Sequence, residues 1–224
     1  ALADALVEID AKLSDQLDMS SKQSKTFDSQ TLSTQVAELP TTFETPDQFI
    51  EHLYPMAQKV EQETGISAKV MLAQSALETG WGKHMINHSD DQASFNLFGI
   101  KADSRWSGDT AEIVTTEYRG GVAMKERAAF RSYDSYEDSF RDYAQFLNEN
   151  PRYEPAMQHL DNPQKFTKTL QDAGYATDPA YSQKIQRILS GDAFKGAINS
   201  HDLNIDNNET LPGLADSLIT KAAL

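Results

Sequence analysis

The chain has 224 residues, a formal charge of −14 and no cysteine. At about 150 residues per domain this is one domain and a remainder, enough for one good core. The missing cysteines exclude a disulfide framework, thiolate metal ligands and a cysteine nucleophile, and the negative field disfavours nucleic-acid partners.

No apolar run approaches the roughly 20 residues of a membrane helix, so membrane insertion is not expected. The start, Ala1 to Asp10, lacks the basic and apolar regions of a signal peptide. Leu2, Leu6, Ile9 and Leu13 fall at helical spacing and predict a short amphipathic helix. Ser14 to Thr45 is rich in Ser, Thr and Gln, poor in large apolar residues, and reads as a flexible linker. Residues 1–50 hold nine acids against three bases, whereas residues 51–191 hold twenty against fifteen. Every Trp and Tyr also lies between Tyr54 and Tyr181, so the core is expected in this better balanced middle.

Within it the pattern is mostly helical. Thr45-Pro46 opens a helix with the stripe Phe49, Leu53, Met56, Ala57 and Val60, and Pro55 predicts a kink or a division into two. Ile66, Val70, Ala73 and Leu77 form a second stripe, ended by Gly80. From Glu112 to Tyr118 the chain is rich in β-branched residues; Arg119-Gly120-Gly121 then reads as a turn and Val122 to Tyr133 as a second strand, giving a hairpin. Ser135 caps a third helix that stops before Pro151. Asn162-Pro163 opens a fourth, closed by Gly174, and Asp178-Pro179 a fifth, closed by Gly191. Ser200 to Thr210 reads as a polar spacer and Leu211 to Leu224 as an apolar tail. The expected fold class is α+β, mostly α: a helical domain with a small β-hairpin lobe, flanked by flexible N- and C-terminal segments.

Glu78 lies at the end of the second helix, just before Thr79-Gly80-Trp81-Gly82. The helix dipole and burial beside Trp81 both disfavour its charged form, which suits a general acid. Glu117 shares a strand face with Ile113 and Thr115, opposite to Glu112, and could face the helical carboxylate across a sugar. Phe95-Asn96-Leu97-Phe98-Gly99-Ile100-Lys101 is dense in aromatics, which stack on sugar faces, and carries an amide for hydroxyl or N-acetyl groups. Trp106 sits in a Gly/Asp/Ser-rich loop. His84 and His88 have i, i+4 spacing, but Met85 stands where a zinc protease needs Glu. No metal and no cofactor is expected.

Five segments occur in order: Ala73-Gln74-Ser75-Ala76-Leu77-Glu78-Thr79-Gly80-Trp81-Gly82, Asn96-Leu97-Phe98-Gly99-Ile100-Lys101, Thr115-Thr116-Glu117-Tyr118, Phe130-Arg131-Ser132-Tyr133, and Ala173-Gly174-Tyr175-Ala176-Thr177-Asp178-Pro179-Ala180-Tyr181. Over residues 47–191 the chain resembles the glycoside hydrolase family 73 glucosaminidases that cut peptidoglycan, and especially those serving the bacterial flagellum. Residues 1–13 resemble the end of a rod-binding region. The resemblance implies a lysozyme-like fold, Glu78 as the acid that protonates the glycosidic oxygen, Glu117 as a second acidic residue and Tyr175 as a cleft tyrosine. Trp81, Asn96, Phe98, Trp106 and Tyr118 are assigned to substrate contact.

The resulting expectation is a periplasmic endo-β-N-acetylglucosaminidase that opens the cell-wall glycan strand for the flagellar rod, with rod proteins as partners through the N-terminal region. The alternatives are a non-catalytic wall-binding or rod-scaffold module and a lytic transglycosylase. Residues 192–224 are expected as spacer and tail, with the tail docking beside the aromatic cleft of its own chain or exchanging with a second chain.

Overall fold

The computed structural model describes residues 40–119 and 122–209. The expected N-terminal helix, most of the linker and the tail after Glu209 lie outside the described residues. Two long helices lead: α1, Pro46–Thr64, and α2, Ala68–Thr79. Strands β1, Thr110–Arg119, and β2, Val122–Arg131, follow; then come α3, Tyr136–Glu149, the short 3-10 turn Pro151–Tyr153, α4, Glu154–Met157, α5, Pro163–Asp172, α6, Tyr181–Ser190, and α7, Asp192–Glu209.

Local chemistry fixes many of the boundaries. The side chains of Thr45, Ser135 and Asn162 accept from the backbone N–H of Gln48, Asp138 and Lys165 and cap α1, α3 and α5. The expected cap at Asp178 is displaced: Asp178 accepts from Ala180 N–H in a turn, and α6 starts at Tyr181. Pro55 does not divide α1, which runs unbroken for 19 residues. Both Pro55 and Glu51, whose carbonyl loses its donor, are exposed, so water can take that carbonyl.

The α2 helix lies at the centre. Ten of its twelve residues are buried, where the sequence predicted one apolar stripe. The α1, α3, α5 and α6 helices contribute Phe49, Leu53, Phe140, Tyr143, Phe166, Tyr181 and Ile185 to the same core. Two expectations about its borders are corrected. The end of the linker is packed, because Phe43 is buried against Phe49, His52 and Tyr136. The polar stretch after Gly191 is helical through Glu209, and Phe194 and Ile198 of α7 belong to the core. Those two residues lie four apart on one face, a sparse signal in a sequence otherwise polar.

The hairpin pairs antiparallel from Thr110↔Arg131 to Arg119↔Val122. Ala111 and Phe130 pack with Ile86 in a small satellite cluster, and Arg131 N–H donates to Ile100 O at 2.9 Å. The Arg131 guanidinium then reaches α3, bonding both oxygens of Asp142 at 2.8 and 2.9 Å, while Tyr133 Oη donates to Asp142 at 2.8 Å.

The end of α2 is shaped by three successive left-handed residues, Gly80, Trp81 and Gly82, with φ of 58°, 63° and 77°. A non-glycine residue there costs roughly 1–2 kcal/mol. Trp81 offsets this by packing edge-on to Phe49 and close to Phe194. Thr79 Oγ1 accepts from Gly82 N–H at 2.9 Å, and Trp81 N–H donates to Ala76 O at 2.9 Å.

Two outcomes are expected. Phe194→Ala should lower unfolding free energy in urea by about 3 kcal/mol, the scale for deleting a buried ring; a loss below about 0.5 kcal/mol, as at free surface positions, would show α7 to be a mere appendage. Gly82→Ala should cost about 2 kcal/mol, because it strains a left-handed residue and drives a methyl into the Phe43 ring, with Phe49 Cδ2 3.2 Å away.

Candidate active site

Glu78 is 7 % exposed and occupies the last turn of α2. Its neighbours arrive from separate parts of the chain. Tyr143 comes from α3, Tyr175 from the segment after α5, and Tyr181 from the first turn of α6; all three interact electrostatically with Glu78. Burial pushes each of these hydroxyls above the ordinary phenol range, and the nearby Glu78 charge adds to the effect. They are therefore neutral donors at neutral pH. The Tyr181 hydroxyl is hydrogen-bonded to Glu78.

The rings form a continuous wall. Tyr175 lies 6.1 Å from Tyr143, 5.9 Å from Tyr153 and 5.7 Å from Tyr181, between centroids. This wall gives Tyr175 a place beside Glu78. Tyr143 and Tyr181 were legible in the sequence only as core positions. Gln74 was the missed signal: a carboxamide one helical turn before Glu78, hence on its face, inside a helix that is mostly buried.

The hairpin carries Glu117 opposite Met124 in the register. The side chains of Glu117 and Tyr118 lie outside the described residues. Nearer the base, alternation is clear: Ala111 is buried and Ile113 half-buried, whereas Glu112 is exposed and pairs with Arg127 at 3.6 Å. Glu112 is thus committed to the outer face.

Three of the residues assigned to substrate contact have other surroundings. Asn96 is 1 % exposed; its amide donates to Ile100 O and Arg131 O, and its oxygen accepts from Phe98 N–H and Ile100 N–H. That spends the side chain on fixing the loop. Phe98 is 4 % exposed and stacked on Tyr143 with 4.0 Å between centroids, so its faces are not open to a sugar. Trp81 turns its ring toward Phe49 and Phe194, as described above. Asn96 and Phe98 thus sit in supporting positions, because a side chain sealed in the core has no face to offer a sugar; Trp81 is half-buried and packed against the core.

Trp106 is half-buried and lies apart from this wall. Its Nε1 donates to Asp109 O, its ring packs on Tyr133, and the Arg131 guanidinium lies 4.8 Å from its centroid. Trp106, Arg131, Asp142 and Phe146 line a cavity of about 240 Å³. Phe146 contacts Tyr153, which contacts Tyr175, so a ladder of rings joins the two regions.

His84 and His88 do not share a helix face, because the chain from His84 to His88 is irregular. The His84 ring lies against Gly80, and His88 Nε2 is 2.8 Å from Ser132 Oγ. Among the described residues no helix is long and apolar enough to cross a membrane.

The family model described as mannosyl-glycoprotein endo-β-N-acetylglucosaminidase matches residues 54–192. The peptidoglycan hydrolase FlgJ of Pseudomonas aeruginosa is 53 % identical over 146 residues, covering 65 % of this chain and 36 % of that protein. FlgJ of Escherichia coli K12 is 40 % identical over 161 residues, covering 71 % and 51 %. The chain thus spans about a third to a half of the length of these curated relatives. Among solved structures, a peptidoglycan hydrolase mutant from Sphingomonas sp. A1 superposes with a TM-score of 0.63 at 41 % identity, covering 69 % of this chain and 99 % of that one. The glycoside hydrolase domain of Salmonella typhimurium FlgJ gives 0.59 at 33 % identity, covering 73 % and 99 %. The resemblance read in the sequence and the lysozyme-like architecture it implied are both borne out. With more than half its length matched by the family model and near-complete coverage of related solved domains, the chain belongs to the glucosaminidase family.

Proposed function

We propose that this domain is a peptidoglycan hydrolase that cleaves β-N-acetylglucosaminyl bonds of the glycan strand, with Glu78 as its general acid. The observation that carries this reading is a carboxyl group held at the closing turn of a buried helix and hydrogen-bonded by a neutral phenol, within a glucosaminidase domain. Burial and the helix C-terminus both act against the charged form, so the group can keep a proton to deliver. That proton goes to the bridging oxygen as its bond to the anomeric carbon breaks. Glu117 on the hairpin serves as the second acidic residue across the sugar, and Tyr175 lines the cleft beside Glu78. Trp81, Trp106 and Tyr118 are the aromatics assigned to sugar contact.

We propose a wider setting as well: action in the periplasm, where the wall lies, for passage of the flagellar rod, with rod proteins bound through the N-terminal region. Docking of the tail beside the cleft, or its exchange between two chains, is part of the same proposal. Its test must shorten the chain after Glu209, because a cut after Gly191 removes Phe194 and Ile198 from the core. The truncated protein should hydrolyse sacculi faster; equal activity with an unchanged oligomeric state by light scattering would leave the tail without this role.

Mass spectrometry of muropeptides from digested sacculi tests the main reading. Fragments ending in a reducing N-acetylglucosamine are expected. Anhydro-sugar ends would make the enzyme a lytic transglycosylase, and no fragments would make it a binding module. Glu78→Gln keeps the shape but cannot donate the proton, so activity should fall by about 10²–10⁴-fold with unchanged circular dichroism. Glu117→Gln should lose less, because a two-stranded hairpin places its carboxylate less strictly than a packed helix. A Glu78→Gln enzyme within about tenfold of the parent would remove Glu78 from this role.

A further inference from the structure

Gln74 has no exposed surface. Tyr143 Oη donates to its Oε1 at 2.6 Å, and its Nε2 donates to Tyr181 Oη at 3.0 Å. The Tyr181 hydroxyl is in turn bonded to Glu78. Four buried side chains from α2, α3 and α6 therefore form one hydrogen-bonded line that ends on the carboxyl group. Nothing in the packing of an apolar core calls for such a line, since a leucine at position 74 would fill similar space without polar demands.

The direction of the line is fixed when Glu78 is ionised, the state that proton delivery leaves behind. An ionised carboxylate only accepts, so Tyr181 must spend its single proton on Glu78. Tyr181 Oη must then receive from Gln74, which it can do only from the amide nitrogen. The amide oxygen is thereby left facing Tyr143, which donates to it. Each bond polarises the next. The line thus presents a pre-oriented donor to one carboxyl oxygen and leaves the acidic proton to the other.

We propose that Tyr181, Gln74 and Tyr143 are positioning residues for Glu78: they hold one carboxyl oxygen, direct the acidic proton to the other, and stabilise the carboxylate left once that proton has passed to the leaving oxygen. The inference rests on Glu78 being the general acid. It adds a force opposed to burial and the helix dipole. Those two favour the protonated group before reaction, whereas the donor line favours the ionised group formed by it. Titratable groups that face Glu78 include Tyr143 from α3, Tyr175 from the segment after α5 and Tyr181 from α6, with the His84 ring against Gly80 two residues beyond. The three phenols are neutral across the working pH range.

Tyr181→Phe removes the donor and keeps the ring. Without it the Glu78 carboxylate is less stable, so its pKa should rise by about one unit. The alkaline limb of the kcat–pH profile on soluble glycan fragments should move up by the same amount. At the optimum kcat should fall roughly tenfold or more, because the proton is both held more tightly and less well aimed, with KM within about twofold. Gln74→Met, which breaks the line and keeps both phenols, should move the limb in the same direction by less. The Glu78 carboxyl should follow in a carbon-13 NMR titration of the free protein, which needs no turnover and provides the readout if one variant is poorly active. A limb and a Glu78 titration unmoved in both variants, even with a lowered melting temperature, would make the line purely structural and overturn the inference. The parallel Glu78→Gln enzyme separates the two levels. If it is inactive and the limb does not move, only the positioning role fails. If it stays active, the acid assignment fails and the positioning role with it.

Discussion

Enclosure of α2 on nearly every side governs this molecule. A helix sealed from water must satisfy each polar side chain within the protein. Ser75 and Thr79 do so locally, donating to Leu72 O and Ser75 O. Gln74 and Glu78 take partners from other helices, with α3 and α6 each bringing a phenol to this face. The core and the candidate site are therefore one construction. The same contacts that bury Leu72 and Met71 decide where the carboxyl group stands.

Phenols suit this task because they are apolar on their faces and polar at one tip. Tyr143, Tyr153, Tyr175 and Tyr181 pack ring to ring as any core would, and their hydroxyls remain available as donors. A lysine or arginine in their place would hold Glu78 ionised by direct charge attraction, at odds with a group that has to deliver a proton. Where the protein does use a buried cation, at Arg131, it is matched by Asp142 and joins the hairpin base to α3.

The two lobes differ in how they are held. Glu78 sits on a helix whose ends are pinned by α1, α6 and the Gly80–Gly82 turn. The hairpin is a two-stranded sheet, an element marginally stable by itself. It is secured at its base by Phe130, Arg131 and the segment around Ile100, and the strands pair on out to Arg119 and Val122.

Much of the fold was legible because its causes are local. Thr45, Ser135 and Asn162 cap helices with atoms three residues away, and the β-branched run before Gly120-Gly121 needs no distant partner to extend. Glu78, with glycines on both sides of a tryptophan just after it, stood out for the same reason. Tertiary structure decided whatever depends on residues far apart in the chain. Asn96 and Phe98 look like sugar-binding groups in isolation and become buried supports once Arg131 and Tyr143 arrive. Phe43 and Phe194 lie in polar stretches and join the core because α1 and α2 offer them a surface. Gln74 and Tyr181 are 107 residues apart and share a hydrogen bond. Spacing within a helix or strand can announce a carboxylate and its element, but the partners that orient it come from chain closure, and a single sequence carries no local mark of which distant side chain will be folded against it.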